Sequence, residues 1–208
     1  MVRASVVTVL ATLVLMPSLA PATVEEQRAR LPPPATCDDP VEGVWMSHRY
    51  HPRFRDWYLF SLEIHRVSQG SPRLKGQIMA RAWEGSARDE QPPPCRAGLD
   101  HWAVRMTAEG AVHPDGRIAF GGTAWAIDHV FCGRGPRRGE YYLDQFSGVI
   151  DREIQEFQSV NNDGGRSIND PTVFRRVRCF EAPPVPHAAV APPPFHPSAP
   201  RASCARPW

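Results

Sequence analysis

The chain has 208 residues, 42% of them hydrophobic, and its 24 Lys and Arg face 22 Asp and Glu for a formal net charge of +2. That balance implies no strongly charged partner and excludes a dedicated nucleic-acid binder, which carries a basic excess or stripe. Lys75 is the single Lys, an Arg bias that reads as codon composition rather than phosphate recognition.

Arg3 supplies a positive start, Ala4 to Leu15 is an apolar run, Pro17 and Ser18 break it, and Ala20-Pro21-Ala22 offers small residues for cleavage. This is the pattern of a secretory signal, and the run is too short for a bilayer, which takes about 20 apolar residues. The expectation is a signal peptide over 1–22 and a mature chain that is secreted or periplasmic, with no integral membrane segment. About 185 residues then remain, enough for one domain.

Residues 23–36 are polar and then proline-rich, and read as a spacer. Val24 to Arg30 offers a helical turn or two before Pro32-Pro33-Pro34 stops it. The domain is expected over 37–180 and reads as all-β. Its first strand contains Gly43-Val44-Trp45. Trp57 to Val67 alternates, with Tyr58, Phe60, Leu62 and Ile64 on one face and Ser61, Glu63 and His65 on the other. Leu74 to Trp83, Trp102 to Met106, Arg117 to Ile127, Tyr141 to Ile150, Glu153 to Val160 and Thr172 to Cys179 follow as strands. Asp115-Gly116 marks a hairpin and Asn161-Asn162-Asp163-Gly164-Gly165 a second turn. About eight short strands predict an antiparallel β-barrel or β-sandwich.

From Glu181 prolines and alanines dominate, and residues 181–208 are expected to be a disordered tail because they cannot bury enough apolar surface to order themselves. Truncation after Glu181 is expected to leave the domain folded. Thermal unfolding of the truncated and mature chains should agree within a few degrees, and a larger loss would show that the tail docks.

Five cysteines at wide spacing in an oxidising compartment read as disulfides. No C-x-x-C pair occurs, which argues against a zinc ribbon or thioredoxin-type centre. Four cysteines allow three pairings. Cys37 precedes the first strand and Cys179 ends the last, and a closed barrel makes those strands neighbours. Cys95 and Cys132 lie in loops that can meet at one end. The expected bonds are therefore Cys37–Cys179 and Cys95–Cys132, leaving Cys204 free or intermolecular.

Gly43-Val44-Trp45 on the first strand and Phe174-Arg175-Arg176 on the last resemble the lipocalin (calycin) pattern. The resemblance implies a barrel whose Trp45 packs near the closed end under Arg175 or Arg176, all three structural. An indole buries much area, and a guanidinium stacks on its face. Tyr141-Tyr142-Leu143-Asp144 is a loose echo of the family's Thr-Asp-Tyr turn, and the proline-rich tail stands where the family has a helix.

Candidate chemistry is sparse. Glu63 and His65 share a strand face and could act as an acid/base pair or as metal ligands, although Ser61 beside them favours a solvated face. Asp128 and His129 are adjacent on a strand and point oppositely, so they could form a dyad only where a loop brings them together. Asp151, Glu153 and Gln155 share a predicted face that lines a wet cavity or meets water. Asn161 to Gly165 with Asn169-Asp170-Pro171 is rich in oxygen ligands for calcium, but these are also the residues tight turns require. No nucleophile elbow, phosphate loop or zinc-binding helix motif occurs, and no cofactor or metal is called for. Trp57, Trp83, Trp102 and Trp125 fall on four strands or their ends and could line a barrel around an apolar or sugar-like ligand. The leading expectation is a non-catalytic module for a small apolar or amphipathic ligand, oligomeric state open. The alternatives are a cell-envelope hydrolase using Glu63, His65, Asp128 and His129, and an interaction protein without a pocket.

Overall fold

The computed structural model describes residues 24–137, 139–165 and 167–180. The segment read as a signal peptide, the segment read as a disordered tail and Cys204 lie outside the described residues. A short helix, α1 (Val24–Ala29), precedes eight strands: β1 (Gly43–His51), β2 (Asp56–Arg66), β3 (Arg73–Glu84), β4 (His101–Val112), β5 (Arg117–Cys132), β6 (Gln145–Asp151), β7 (Glu156–Asn161) and β8 (Asp170–Arg178). Each strand pairs antiparallel with its sequence neighbours, and β1 pairs with β8 to close a barrel. Of the two architectures open to the sequence, the barrel is the one formed.

Period-two alternation decides what fills it. Tyr58, Phe60, Leu62 and Ile64 on β2 point inwards, and the register places Leu62 opposite Trp45 on β1 and Ile78 on β3. Phe60, Phe146, Phe157 and Phe174, each at most 1% exposed, meet at centroid separations of 4.8 to 6.4 Å. Ile78, Val104 and Met106 complete this layer. Each such side chain stabilises the fold by about 1.5–3 kcal/mol through burial, so the middle of the barrel is a packed core.

The base is the end where β1 begins. There Trp45 is fully buried, its indole N–H donates to the Val41 carbonyl at 2.9 Å, and the Arg176 guanidinium lies 4.9 Å from its ring centre. Arg176 also donates to the Asp39 and Glu42 carbonyls and to Gln155 Oε1. Gly43 has φ of 140°, and a Cβ there would sit 2.8 Å from the Arg178 carbonyl and 2.9 Å from Arg176 Cδ. Glycine is therefore what lets Arg176 cross under the first strand. Arg175 points outwards instead and donates to Glu156 at 2.8 Å.

The segment read as a spacer is part of the packed structure. Gln27 on α1 is 2% exposed, donates to the Pro171 carbonyl at 3.0 Å and accepts from the Val173 N–H at 3.1 Å. Arg28 reaches the buried Glu156 at 2.7 Å, and the Ala35 N–H donates to the Arg176 carbonyl at 2.8 Å. Cys37–Cys179 and Cys95–Cys132 are the two disulfide pairs; both suit an oxidising compartment.

Four strands, β4, β5, β6 and β7, differ from their predicted bounds by three residues or more. β4 runs on to Val112 because Ala108 and Gly110 continue the inward parity of Met106, although small residues give little β signal. β6 starts at Gln145, since Tyr141 to Asp144 fold into the mouth instead. β7 starts at Glu156, because Asp151 to Gln155 form a turn: Asp151 Oδ1 accepts from the Glu153 N–H at 3.0 Å and Gln155 has φ of 56°. Asp151, Glu153 and Gln155 thus share no strand face. β5 is the longest strand at 16 residues, yet only Arg117 to Gly121 pair with β6. Its second half pairs with β4 alone, and the loop from Gly133 to Asp144 occupies the place β6 would take.

Candidate functional site at the barrel mouth

Above the phenylalanine layer the inward positions turn polar. β1 contributes Arg49, β2 Asp56 and Tyr58, β3 Ala82 and Glu84, β4 Trp102, and the loop before β6 contributes Arg134, Tyr141 and Asp144. They enclose a cavity of about 180 Å³ with Phe60 in its lining. This is close to the ~150 Å³ cavity that takes up benzene, and below the roughly 300 Å³ at which pockets for drug-sized ligands begin. It fits a molecule of one ring.

Two buried polar groups dominate the lining. Arg49 is 2% exposed; its guanidinium pairs with Asp170 and donates to Ser167 Oγ at 3.2 Å, while its Nε–H has no acceptor among the described residues. Asp144 is 4% exposed and accepts from the Tyr141 hydroxyl and from Asn161 Nδ2, each at 2.6 Å. Burial raises its carboxyl from 3.8 to about 6, against the lowering effect of those two donors. Burial and the neighbouring Asp144 likewise raise the Tyr141 hydroxyl well above its ordinary value. Tyr141 is held edge-on between Trp102 at 5.4 Å and Trp125 at 5.5 Å.

The four tryptophans singled out in the sequence separate. Trp102 lines the cavity, and Trp125 stands outside it behind Tyr141. Trp57 and Trp83 take the parity opposite to Tyr58 and Ala82, so their indoles stack on the outer face with centroids 6.2 Å apart. Their N–H groups donate to the Ser86 and Asp89 carbonyls at 2.9 and 2.8 Å, and Arg30 covers Trp57. They fasten the β3–β4 loop and the N-terminal segment to the barrel; Trp57 is not among the residues around the cavity, while Trp83 borders it beside Ala82 and Glu84.

The predicted hydrolase residues do not converge. Glu63 and His65 lie on the outer face of β2, where His65 stacks on Phe180 at 3.9 Å. Asp128 pairs with Arg105 and His129 packs near Phe131, both on β5 with two strands between. In the oxygen-rich turn, Asp163 Oδ1 accepts from the Gly165 and Ser167 N–H groups at 2.7 and 2.9 Å, and Asp170 is taken by Arg49. These oxygens do turn and ion-pair work.

Sequence reasoning missed Arg49, Tyr58 and Asp144 as a set. The available signal was parity: Ser47 and Arg49 continue the inward face of Trp45, and a polar residue at an inward position marks where a barrel core ends. Asp144 carried no such signal, since it lies in a loop.

Asp144 makes a prediction for stability. The folded state binds its proton more tightly than the unfolded chain does, so the stability it contributes is complete below 3.8 and is lost as pH rises through about 6. The buried histidines act in the opposite sense. Burial lowers His48 and His51, and burial with the neighbouring Arg81 lowers His101 to about 4, so their contribution is present above 6.5 and is lost on acidification. Asp144→Asn removes only the first effect and keeps partners for Tyr141 and Asn161. The variant is expected to be more stable than its parent at neutral pH, with the gap closing as pH falls below about 4. Denaturant titrations across that range read this directly; a constant gap would show that Asp144 ionises normally.

The chain matches no protein-family model, no curated protein and no solved structure. Among the described residues no helix is long and apolar enough to cross a membrane.

Proposed function

We propose that this barrel is a secreted or periplasmic, non-catalytic binding module that takes one small amphipathic molecule at its mouth. The observation that carries this reading is the change of the interior from close-packed phenylalanine to an enclosed cavity walled by Tyr58, Trp102 and Tyr141 and edged by the buried Arg49 and Asp144. Ligand sites of this kind pair apolar walls with a few placed polar groups. The closed eight-strand barrel, with Arg176 over Trp45 at its base, supports a lipocalin-like reading in which the base is structural and the mouth binds.

Native mass spectrometry of the mature protein as purified tests for a retained small molecule. Ala82→Phe supplies the control, because Ala82 is an inward residue on the cavity wall that is 3% exposed. The variant is expected to fold and to lose the adduct. An adduct retained by a folded Ala82→Phe protein would place binding elsewhere and refute the proposal.

A further inference from the structure

We infer that the ligand of the mouth is a small organic cation: one aromatic ring that carries an ammonium group and a neutral hydrogen-bond acceptor. This rests on the mouth being a binding site, as proposed above.

Six carboxylates line the cavity, those of Asp56, Glu84, Asp100, Glu140, Asp144 and Asp163, and the described cations among the lining are Arg49 and Arg134. Both guanidiniums have carboxylate partners: Asp170 holds Arg49, and Glu140 lies 3.6 Å from Arg134. Glu84, Asp100, Asp144 and Asp163 then face no further described cation in the lining. A carboxylate ligand would enter against that field, whereas an ammonium would enter with it.

The walls favour the same charge. Tyr58, Trp102 and Tyr141 present aromatic surface, and ring faces attract cations, most strongly where water is excluded. Asp144 is the placed counter-charge. It is buried, and its two hydrogen bonds come from neutral donors, Tyr141 and Asn161, with no direct ion pair among the described residues. An ammonium beside it would give direct compensation to a buried carboxylate on which, among the described cations, Arg49 acts only at a distance. The acceptor is inferred from Arg49, whose buried Nε–H lacks a partner among the described residues; a hydroxyl or ether oxygen would satisfy it without adding negative charge.

The test uses three probes that share a para-hydroxyphenyl ring and differ in the head group: tyramine (ammonium), tyrosol (hydroxyl) and para-hydroxyphenylacetate (carboxylate). Binding to the mature protein is read by calorimetry at neutral pH. Tyramine is expected to bind at least about tenfold more tightly than tyrosol, in line with a charge-assisted contact, and para-hydroxyphenylacetate more weakly than either. Asp144→Asn should bring tyramine to the level of tyrosol and leave tyrosol unchanged; if that variant does not fold, the three affinities for the parent protein decide alone. Equal affinity for tyramine and tyrosol, or a preference for the carboxylate, would overturn the cation assignment while leaving the mouth a binding site. No binding of any probe at millimolar concentration, together with no adduct in the native mass spectrum, would overturn both.

Discussion

Trp45→Ala is expected to destabilise the domain by about 3–5 kcal/mol, among the largest effects of any single substitution. The side chain is fully buried, and three independent features depend on it: the Val41 carbonyl that accepts from its indole, the Arg176 guanidinium stacked on its ring, and the hydrophobic layer above. Truncation leaves a cavity that the neighbours cannot close, because Arg176 is pinned to the Asp39 and Glu42 carbonyls and to Gln155. Denaturant unfolding of Trp45→Ala, Arg176→Met and the double variant forms a cycle. The two losses should be less than additive, since each substitution already removes the stacking contact. Strict additivity would mean that the guanidinium and the indole are neighbours without mutual stabilisation.

Removing the Cys37–Cys179 bond by paired Cys→Ala substitution is expected to lower stability by about 5 kcal/mol. The bond closes a loop of 142 residues, against 37 for Cys95–Cys132. In the chain-entropy model the longer loop constrains the unfolded state more, by about 1 kcal/mol for this ratio of lengths. The order of the two effects is thus the diagnostic. If loss of Cys95–Cys132 proves more damaging, folded-state contacts around the β3–β4 loop outweigh the unfolded-state term. That loop also carries the carbonyls that hold Trp57 and Trp83, which gives such an outcome a physical source.

Much of the barrel was legible because its signals are local. Alternation along Trp57 to Val67 separated the two faces of β2, the Asp115-Gly116 turn is a hairpin with Gly116 at φ of 83°, and closure of a barrel, which makes the first and last strands neighbours, led to the Cys37–Cys179 pair. What stayed hidden was set by tertiary position. Alternation assigns faces only relative to one another, so no local signal showed that Trp57 and Trp83 take the parity opposite to Tyr58 and Ala82, with Trp83 alone of the two bordering the cavity. The segment 23–36 resembled a spacer because its anchoring starts from Gln27 on α1, a polar residue whose burial is satisfied by backbone groups far along the chain. Asp144 and Tyr141 acquire their chemistry from enclosure and from Asn161, none of which a linear pattern encodes.

The uneven seam between β5 and β6 sets how the backbone exchanges protons with solvent. Twelve paired positions join β4 to β5 and only five join β5 to β6. The amides of the phenylalanine layer are locked on both sides and should exchange only through global opening. Along residues 123–131, the backbone groups that face away from β4 have no strand partner among the described residues. Deuterium should therefore enter the barrel first along this flank, beside the cavity, and a molecule seated against Trp102 and Tyr141 should slow its entry.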